Sequence, residues 1–254
     1  MDEKSTRRSF IKGAAALSIA AMPLSAIAEG VSLDQSKRLR VICVGGHPDD
    51  PESGCGGTLA KFSAAGHEVK VVYLTRGEAG IKGKSHSEAA TIRTKESEAA
   101  CKVLNAKPYF FGQIDGDTMV NSEWVSKMIE LMENEKPDLV FTQWPIDFHK
   151  DHQTASFLTM QAWFNVKKKF QLYFYEVCTG AQTMSFHPTD YVDILKEQEI
   201  KRKALYCHVS QDPPRIYATG HELMEKFRGV EAGVKVAEAF IRLNGNNSSS
   251  MIIV

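Results

Sequence analysis

The sequence has no excess of charge of either sign. Its 254 residues include 31 Lys and Arg and 31 Asp and Glu, and no basic block interrupts this balance. Proteins that bind nucleic acid usually present clustered positive charge to the phosphates. The balance therefore gives no electrostatic reason to expect a nucleic-acid partner, and it favours a small neutral or amphipathic substrate.

Cysteine is scarce, and no two cysteines have the spacing C-x-x-C. The five cysteines stand at positions 43, 55, 101, 178 and 207. A disulfide framework needs an even number of cysteines, and a thiolate zinc site needs closely paired ones. Neither is expected here, and most of the five are predicted to be ordinary buried thiols.

The apolar run near the N-terminus is too short to cross a bilayer comfortably. It covers residues 13–24, follows Arg7-Arg8 and precedes Ala26 and Ala28, whereas a membrane span takes about 20 residues. Twin arginines before such a run, with small residues at a cleavage site, are typical of an export signal. We therefore predict a twin-arginine signal peptide at residues 1–28, with an uncleaved amphipathic anchor as the alternative.

The rest of the chain lacks an internal repeat, a heptad array and a low-complexity linker. These absences argue against a second domain, so residues 29–254 are predicted to form one domain. After removal of the signal this domain is expected to be periplasmic or extracellular, with no stable membrane span. A homo-oligomer remains an open alternative to a monomer.

Short apolar runs alternate with stretches of helical periodicity. The apolar runs cover residues 40–45, 69–74, 107–111 and 138–142, and the periodic stretches cover residues 57–65, 87–104 and 122–134. This alternation predicts an α/β fold with a doubly wound, mostly parallel sheet. The last third adds a predicted strand at residues 172–177, an edge strand at 191–195 and a charged helix at 196–206.

Histidine and aspartate directly follow two of the apolar runs. His47-Pro-Asp-Asp50 comes after the first run, and residues 144–152 come after the fourth. Ligands of doubly wound sheets bind beyond the carboxyl ends of the strands. The two clusters are therefore expected to converge if their strands are neighbours in the sheet. The glycines of residues 53–57 do not match G-x-G-x-x-G, which argues against a dinucleotide site.

The residue types of the two clusters suit a hydrolytic zinc site. Zinc in such sites takes three His or carboxylate ligands and a water whose pKa falls to about 7. We predict Zn²⁺ held by His47, Asp50 and His152, with Fe²⁺ as a competing ion. Asp49 is then left beside the metal, where it can act as the general base that takes the proton of the attacking water.

The second cluster offers a further pair of residues with predicted catalytic roles. His149 can donate a hydrogen bond to an oxyanion or protonate a leaving amine, and Asp151 is predicted to orient it. Each cluster alone also has a structural explanation. Pro-Asp-Asp after a strand forms turns and helix caps, and His-x-Asp-His can be a solvated helix start.

The motifs resemble those of the PIG-L/LmbE-like deacetylase family. Five blocks occur in the family's order across nearly all of the mature chain. They lie at residues 47–60, 74–80, 93–96, 144–152 and 203–211. The resemblance implies a Rossmann-like fold, one zinc ion per chain and hydrolysis of the acetamide of an N-acetylated amino sugar. Pro51 and Lys150 depart from the family's common residues, and neither carries a predicted ligand.

The resemblance also implies a role for each matching residue. The metal ligands fall on His47, Asp50 and His152, the general base on Asp49 and the oxyanion partner on His149.

Substrate contacts are predicted for two residues outside the metal set. Arg93 lies where family members contact substrate, and Asp115 lies in a loop expected to reach a sugar hydroxyl. An ion pair of Arg93 with Glu96 on one helical face is the alternative for the arginine. His208 is predicted either to face the pocket or to cap a helix.

Two other functions remain open at this point. One is hydrolysis of a different amide, such as another N-acyl group or a thiol conjugate. The other is a non-catalytic module that binds carbohydrate or metal with the same fold. Asp49 and His149 argue against the module, because a binding protein has no need of a base beside its metal.

Replacement of both arginines by lysine tests the predicted export signal. We expect the Arg7→Lys/Arg8→Lys precursor to accumulate in the cytoplasm, because the export machinery recognises the arginine pair. Cell fractionation and immunoblotting measure this, with Lys12→Arg as a control that leaves the pair intact. Normal export of the double-lysine protein would remove the twin-arginine assignment.

Overall fold

Seven strands form one sheet in the part of the chain that the structure describes. The structure is a computed structural model, and it describes residues 38–179 and 181–243. The predicted signal peptide lies outside these residues. In chain order the strands are β1 (Arg40–Gly45), β2 (Glu68–Tyr73), β3 (Lys107–Phe110), β4 (Leu139–Gln143), β5 (Gln171–Tyr175), β6 (Asp190–Asp193) and β7 (Ala237–Arg242).

Helices occupy most of the connections between the strands. In chain order they are α1 (Asp50–Ala64), α2 (His86–Val103), α3 (Ser122–Glu135), α4 (Lys150–Asn165), α5 (Gln198–Leu205), α6 (Pro213–Ile216) and α7 (Glu222–Ala232). A 3₁₀-helix, Val209–Gln211, and a π-helical turn, Tyr217–His221, lie between α5 and α7. Among the described residues, no helix has both the length and the apolar character that a bilayer span requires.

The sheet is mostly parallel, as predicted. Its strand order is β3-β2-β1-β4-β5-β7-β6, and only the pairs made by β7 are antiparallel. The chain moves outward from β1 to β3, then returns to β4 on the other side of β1. The strand order therefore reverses between β1 and β4, which is where a doubly wound sheet forms its ligand crevice.

Helices cover both faces of the sheet, which confirms the predicted fold class. On one face the core contains Phe62 of α1, Cys101 of α2 and Ala204 of α5. On the other face it contains Met128 of α3 and Leu158 of α4. Burial from both sides explains why β1 and β4 are almost continuously apolar rather than alternating.

The first helix begins seven residues before the predicted stretch 57–65. It starts at Asp50, with Pro51 in its first turn, where proline lacks only an amide hydrogen that would be unpaired in any case. The glycines that obscured the helical pattern allow close packing. A side chain at Gly54 would collide with the Tyr175 ring.

All five cysteines carry free thiols, and three of them, Cys43, Cys55 and Cys101, are buried. The prediction that most of the five are buried thiols is therefore confirmed.

A buried lysine ties the last third of the chain to α1. The Lys201 ammonium lies 3.0 Å from a carboxylate oxygen of Glu225 and 2.8 Å from one of Glu238. Glu238 in turn accepts hydrogen bonds from the backbone amides of Gly57 and Thr58, at 2.9 and 2.7 Å. The network joins α5, α7 and β7 to the helix whose first residue is Asp50.

Removal of the Lys201 charge is expected to destabilise the fold strongly. Lys201→Met leaves Glu225 and Glu238 buried without their cation, and loss of one partner of a buried pair typically costs about 3–5 kcal/mol. Urea denaturation measures the free energy of unfolding. The control is Lys203→Met on the same helix, where the side chain is 64% exposed and the expected change is within about 0.5 kcal/mol. Equal stability of the two variants would contradict this account.

Candidate functional site

The two sequence clusters meet at the carboxyl ends of β1 and β4. The two strands are paired in parallel, so they end at the same edge of the sheet. The Gly46 amide, just past β1, donates a 2.7 Å hydrogen bond to the Gln143 side chain at the end of β4. The rings of His47 and His152 consequently lie with their centroids 5.3 Å apart.

A carboxylate oxygen of Asp50 lies between these two histidines. Asp50 Oδ2 is 3.1 Å from His47 Nδ1 and 3.3 Å from His152 Nε2, and all three residues are buried. Ligands with bonds of about 2.0–2.2 Å to one tetrahedral zinc ion lie roughly 3.4 Å from each other. Asp50 Oδ2 therefore lies near this spacing from each of the two histidines, and ligand atoms of His47, His149 and His152 lie within 4.8 Å of one another.

The other nitrogen of each histidine faces a buried carboxylate. His47 Nε2 lies 3.0 Å from Asp151 Oδ2, and His152 Nδ1 lies 3.1 Å from Asp147 Oδ1. Metal-binding histidines commonly have such a carboxylate partner, which fixes the ring and its tautomer. Asp147 was missed in the sequence, because nothing in its spacing from His152 distinguishes it from other loop aspartates.

Negative charge exceeds positive charge around the two imidazoles. Burial lowers the pKa of His47, but the carboxylates of Asp115, Asp151 and Asp50 outweigh burial and raise it well above its ordinary value. Burial likewise opposes protonation of His152, but Asp50 and Asp147 raise its pKa to about 9. Such an environment attracts a cation, and a divalent ion would neutralise it.

A second group of residues overlaps the first. Ligand atoms of His47, Asp115, His149 and Asp151 all lie within 4.8 Å of one another. The Asp151 carboxylate, however, already accepts hydrogen bonds from Gly116 N at 2.8 Å and Thr118 Oγ1 at 2.6 Å, besides its contact with His47. Asp50 Oδ2 likewise accepts a 2.7 Å hydrogen bond from the His47 amide, besides its contacts with the two imidazoles.

Asp49 adopts a backbone conformation that is unusual for a residue other than glycine. Its φ is 102°, and although it precedes the first turn of α1, its side chain forms no capping hydrogen bond. Instead its carboxylate accepts a 3.1 Å hydrogen bond from Arg93 Nη2, which also donates to the carbonyl of Pro48. Helix capping therefore does not explain Asp49, and backbone strain of this kind is often found at functional sites.

His149 is the N-cap residue of α4, so the predicted pairing of its side chain with Asp151 is wrong. Its Nδ1 accepts a 3.3 Å hydrogen bond from the Asp151 amide, while the Asp151 carboxylate contacts His47. The first turn of α4 directs that carboxylate toward Thr118. Burial, His47 and His152 lower the pKa of His149. A neutral ring that accepts at Nδ1 carries its proton on Nε2.

Helix α2 uses Arg93 and Glu96 for different contacts. Arg93 is buried and reaches Asp49, whereas the Glu96 carboxylate accepts hydrogen bonds from the amide and hydroxyl of Ser210, both at 2.7 Å. The alternative of a solvated Arg93–Glu96 ion pair is therefore wrong. The other predicted substrate contact, Asp115, lies 3.2 Å from His47 Nε2.

These residues open into one cavity of about 480 Å³. All eight site residues of the sequence analysis except Asp151 line it, and its far wall comes from the last third of the chain. The residues of that wall are Val177, Cys178, Gln182, Leu205, His208, Gln211, Pro213, Ile216 and His221. His208 lies 3.4 Å from Glu52 and forms no capping bond. Because it lines the cavity, the prediction that it faces the pocket is the one that the structure supports.

Comparison with known proteins supports a functional interpretation of this site. Residues 42–163 match the family model PIG-L, described as GlcNAc-PI de-N-acetylase. The diacetylchitobiose deacetylase of Thermococcus kodakarensis is 29% identical over 196 residues, which cover 70% of this chain and 72% of that protein.

Solved structures of known proteins share the fold of this chain. N,N′-diacetylchitobiose deacetylase from Pyrococcus horikoshii matches with a TM-score of 0.73 and 25% identity, over 95% of this chain and 94% of that chain. The 4-carboxy-2-hydroxymuconate hydratase GalB from Pseudomonas putida KT2440 also has a TM-score of 0.73, at 20% identity, over 84% of this chain and all of its own. The hydratase shows the fold alone, because one fold carries several chemistries.

The region of the family match contains all eight predicted site residues. The relatives from Thermococcus kodakarensis and Pyrococcus horikoshii are deacetylases, which are hydrolases that act on amide bonds. The resemblance found in the sequence motifs is thereby confirmed. The chain carries a PIG-L (GlcNAc-PI de-N-acetylase) family domain at residues 42–163.

Proposed function

We propose that this protein is a zinc-dependent deacetylase that hydrolyses the acetamide of an N-acetylglucosamine-type substrate. One observation carries the proposal: the Asp50 carboxylate lies between His47 and His152 in a cavity that Asp49 also lines. The deacetylase relatives support the same reaction type.

The proposed metal ligands are His47, Asp50 and His152, with one ion per chain. Imidazole nitrogen and carboxylate oxygen are ligands that suit zinc, and iron(II) accepts the same set. When bound, the ion supplies Lewis acidity and a water of lowered pKa. The Asp151 and Asp147 carboxylates support the assignment, because each holds a histidine ring from the side away from the shared position.

Asp49 is the proposed general base. Burial raises the pKa of its carboxyl, the Arg93 guanidinium lowers it, and Asp50 raises it. Arg93 also fixes the orientation of the carboxylate by its hydrogen bond. A carboxylate held beside the metal position, and not used as a ligand, can accept a proton from the attacking water and pass it to the leaving amine.

His149 is the proposed donor to the oxyanion of the tetrahedral intermediate. With Nδ1 engaged as an acceptor, its Nε2–H is available to the cavity. A neutral imidazole that donates a hydrogen bond stabilises the developing negative charge without transferring its proton. This favours the oxyanion role over protonation of the amine.

Arg93 and Asp115 are the proposed contacts to the sugar. Arg93 Nε is buried and has no hydrogen-bond partner, although the residue lines the cavity. Asp115 Oδ2 accepts a 3.0 Å bond from the Ala79 amide, which holds the carboxylate at the cavity wall. A hydrogen bond from an unpaired buried donor to a polar ligand stabilises the complex, and a sugar hydroxyl can accept such a bond.

Single substitutions of Asp49 and His152 distinguish the role of general base from that of metal ligand. Asp49→Ala is expected to retain zinc and to lose about 10²- to 10⁴-fold in kcat, whereas His152→Ala is expected to lose the metal itself. Acetate release from an N-acetylglucosamine derivative and metal content by mass spectrometry measure the two effects. His86→Ala, at an exposed position, is the matched control. Retention of full zinc content by His152→Ala would contradict the ligand assignment.

The pH dependence tests the pairing of Arg93 with Asp49. Arg93→Met removes a positive charge that lowers the pKa of Asp49, so that pKa rises. The base must be deprotonated, so the acidic limb of the kcat/KM profile is expected to move to higher pH. The control is Arg76→Met, at an exposed position after β2. An acidic limb that stays at the same pH in Arg93→Met argues against Asp49 as the base.

A further inference from the structure

The cavity has two walls of different chemistry. One wall carries polar groups of the proposed site, among them Asp49, Arg93 and Asp115. The far wall, which comes from the last third of the chain, contributes apolar side chains instead. These are Val177, Leu205, Pro213 and Ile216, and of the four only Ile216 is partly exposed rather than buried. The proposed chemistry of the site does not use them.

The other side chains of the far wall add no charge to its exposed surface near neutral pH. Burial and the Asp50 carboxylate raise the pKa of the Cys178 thiol to about 11, and burial lowers the pKa of the His221 ring to about 4. Both groups are therefore neutral. The two glutamines of the wall carry no charge, and His208 is 0% exposed. An uncharged surface with apolar side chains suits a hydrocarbon group.

The proposed metal position lies between the two walls. On one side Asp49 accepts its hydrogen bond from Arg93. On the other side Asp50 is close enough to Cys178 to raise the pKa of that thiol. The carbon of an amide carries the nitrogen and the acyl chain besides its oxygen, and in the planar amide these two groups point away from each other. When the amide carbon lies at the metal position, the nitrogen with its sugar and the acyl chain therefore face different walls.

The polar wall suits the sugar, and the far wall suits the acyl chain. Arg93 Nε is buried without a hydrogen-bond partner, and a hydroxyl group of a sugar on that side can satisfy it. An alkyl chain is stabilised instead by burial against apolar surface. The cavity volume of about 480 Å³ lies in the range of about 300–1,000 Å³ of pockets that hold drug-sized ligands. The cavity therefore has room for a substrate with an extended acyl chain.

We infer that the far wall is a subsite for the alkyl chain of an N-acyl group longer than acetyl, and that Ile216 contacts this chain. The substrate class is then an amino sugar with a short N-acyl chain, and the inference rests on the proposed hydrolysis of an amide at this site. The bond that breaks is the same C–N bond. Water adds its oxygen to the acyl carbon, the amine takes up a proton, and the longer carboxylate leaves in place of acetate.

The test in the wild-type protein compares two substrates that differ only in the acyl chain. They are the methyl glycosides of N-acetylglucosamine and of N-butyrylglucosamine, and release of the free amine measures both reactions. We expect kcat/KM to be about tenfold higher for the butyryl substrate, because each methylene that is fully buried contributes about fourfold. A kcat/KM no higher than that of the acetyl substrate overturns the inference.

Two variants of Ile216 assign this advantage to the far wall. In Ile216→Ser the ratio of the butyryl to the acetyl kcat/KM is expected to fall to about 1–3, because the apolar contact is lost. Ile216→Phe keeps an apolar side chain but fills the space, so the ratio is expected to fall below that of the wild type as well. Ile200→Ser is the matched control, since Ile200 is 37% exposed on α5 and does not line the cavity. A wild-type ratio in both Ile216 variants overturns the inference.

A third substrate distinguishes the acyl chain from another occupant of the far wall. The butyl glycoside of N-acetylglucosamine carries the same alkyl chain on the opposite side of the sugar. We expect Ile216→Ser to leave the ratio of its kcat/KM to that of the methyl glycoside unchanged. If Ile216→Ser lowers this ratio and leaves the ratio of butyryl to acetyl unchanged, the far wall holds the aglycone and the inference is wrong.

Two outcomes separate this inference from the proposed function. If the wild-type protein releases amine from the butyryl substrate alone, the proposed preference for acetamide is wrong and the inference stands. If it releases amine from none of the substrates, the proposed function fails, and calorimetric titration of the zinc-loaded protein tests the far wall alone. A Kd about tenfold lower for the butyryl than for the acetyl substrate, lost in Ile216→Ser, then supports the inference. Equal affinities in the wild type, or no binding, overturn it.

Discussion

The position of the Asp50 carboxylate between two imidazoles is the constraint on which the rest of the site depends. Asp50 is the first residue of α1, His47 follows β1, and His152 lies in the first turn of α4 after β4. Their separation is therefore set by the pairing of β1 with β4. Burial of so many ionisable groups is costly unless each has a partner, and Asp147 and Asp151 supply partners on the outer side of each ring.

Helix α2 links the two walls of the cavity. Through Arg93 it holds Asp49, at the β1 end, and through Glu96 it holds Ser210, in the segment that carries His208. The buried Lys201 network anchors the same C-terminal wall to α1. The residues proposed for the chemistry thus lie on elements that are fixed from both sides, which suits a site that needs its groups oriented before substrate arrives.

The sequence was sufficient to predict the sheet and the convergence of distant clusters. Apolar runs such as β1 and β4 identify buried parallel strands, and parallel strands end at one edge, so the meeting of His47 with His152 could be expected. The contact of the Asp151 carboxylate with His47 could not be predicted, because the direction of a side chain in the first turn of α4 depends on the loop that packs there. The contact of Glu96 with Ser210 and the role of Asp147 arise only from tertiary packing. The beginning of α1 at Asp50 was also missed, because glycines hide its periodicity.

Anomalous diffraction from crystals of the zinc-loaded protein, with data collected on both sides of the zinc absorption edge, tests the central claim most directly. The account predicts one peak per chain, with His47 Nδ1, Asp50 Oδ2 and His152 Nε2 each within about 2.0–2.2 Å of it. A peak surrounded instead by Asp115, His149 and Asp151, or no peak at the carboxyl ends of β1 and β4, would contradict it.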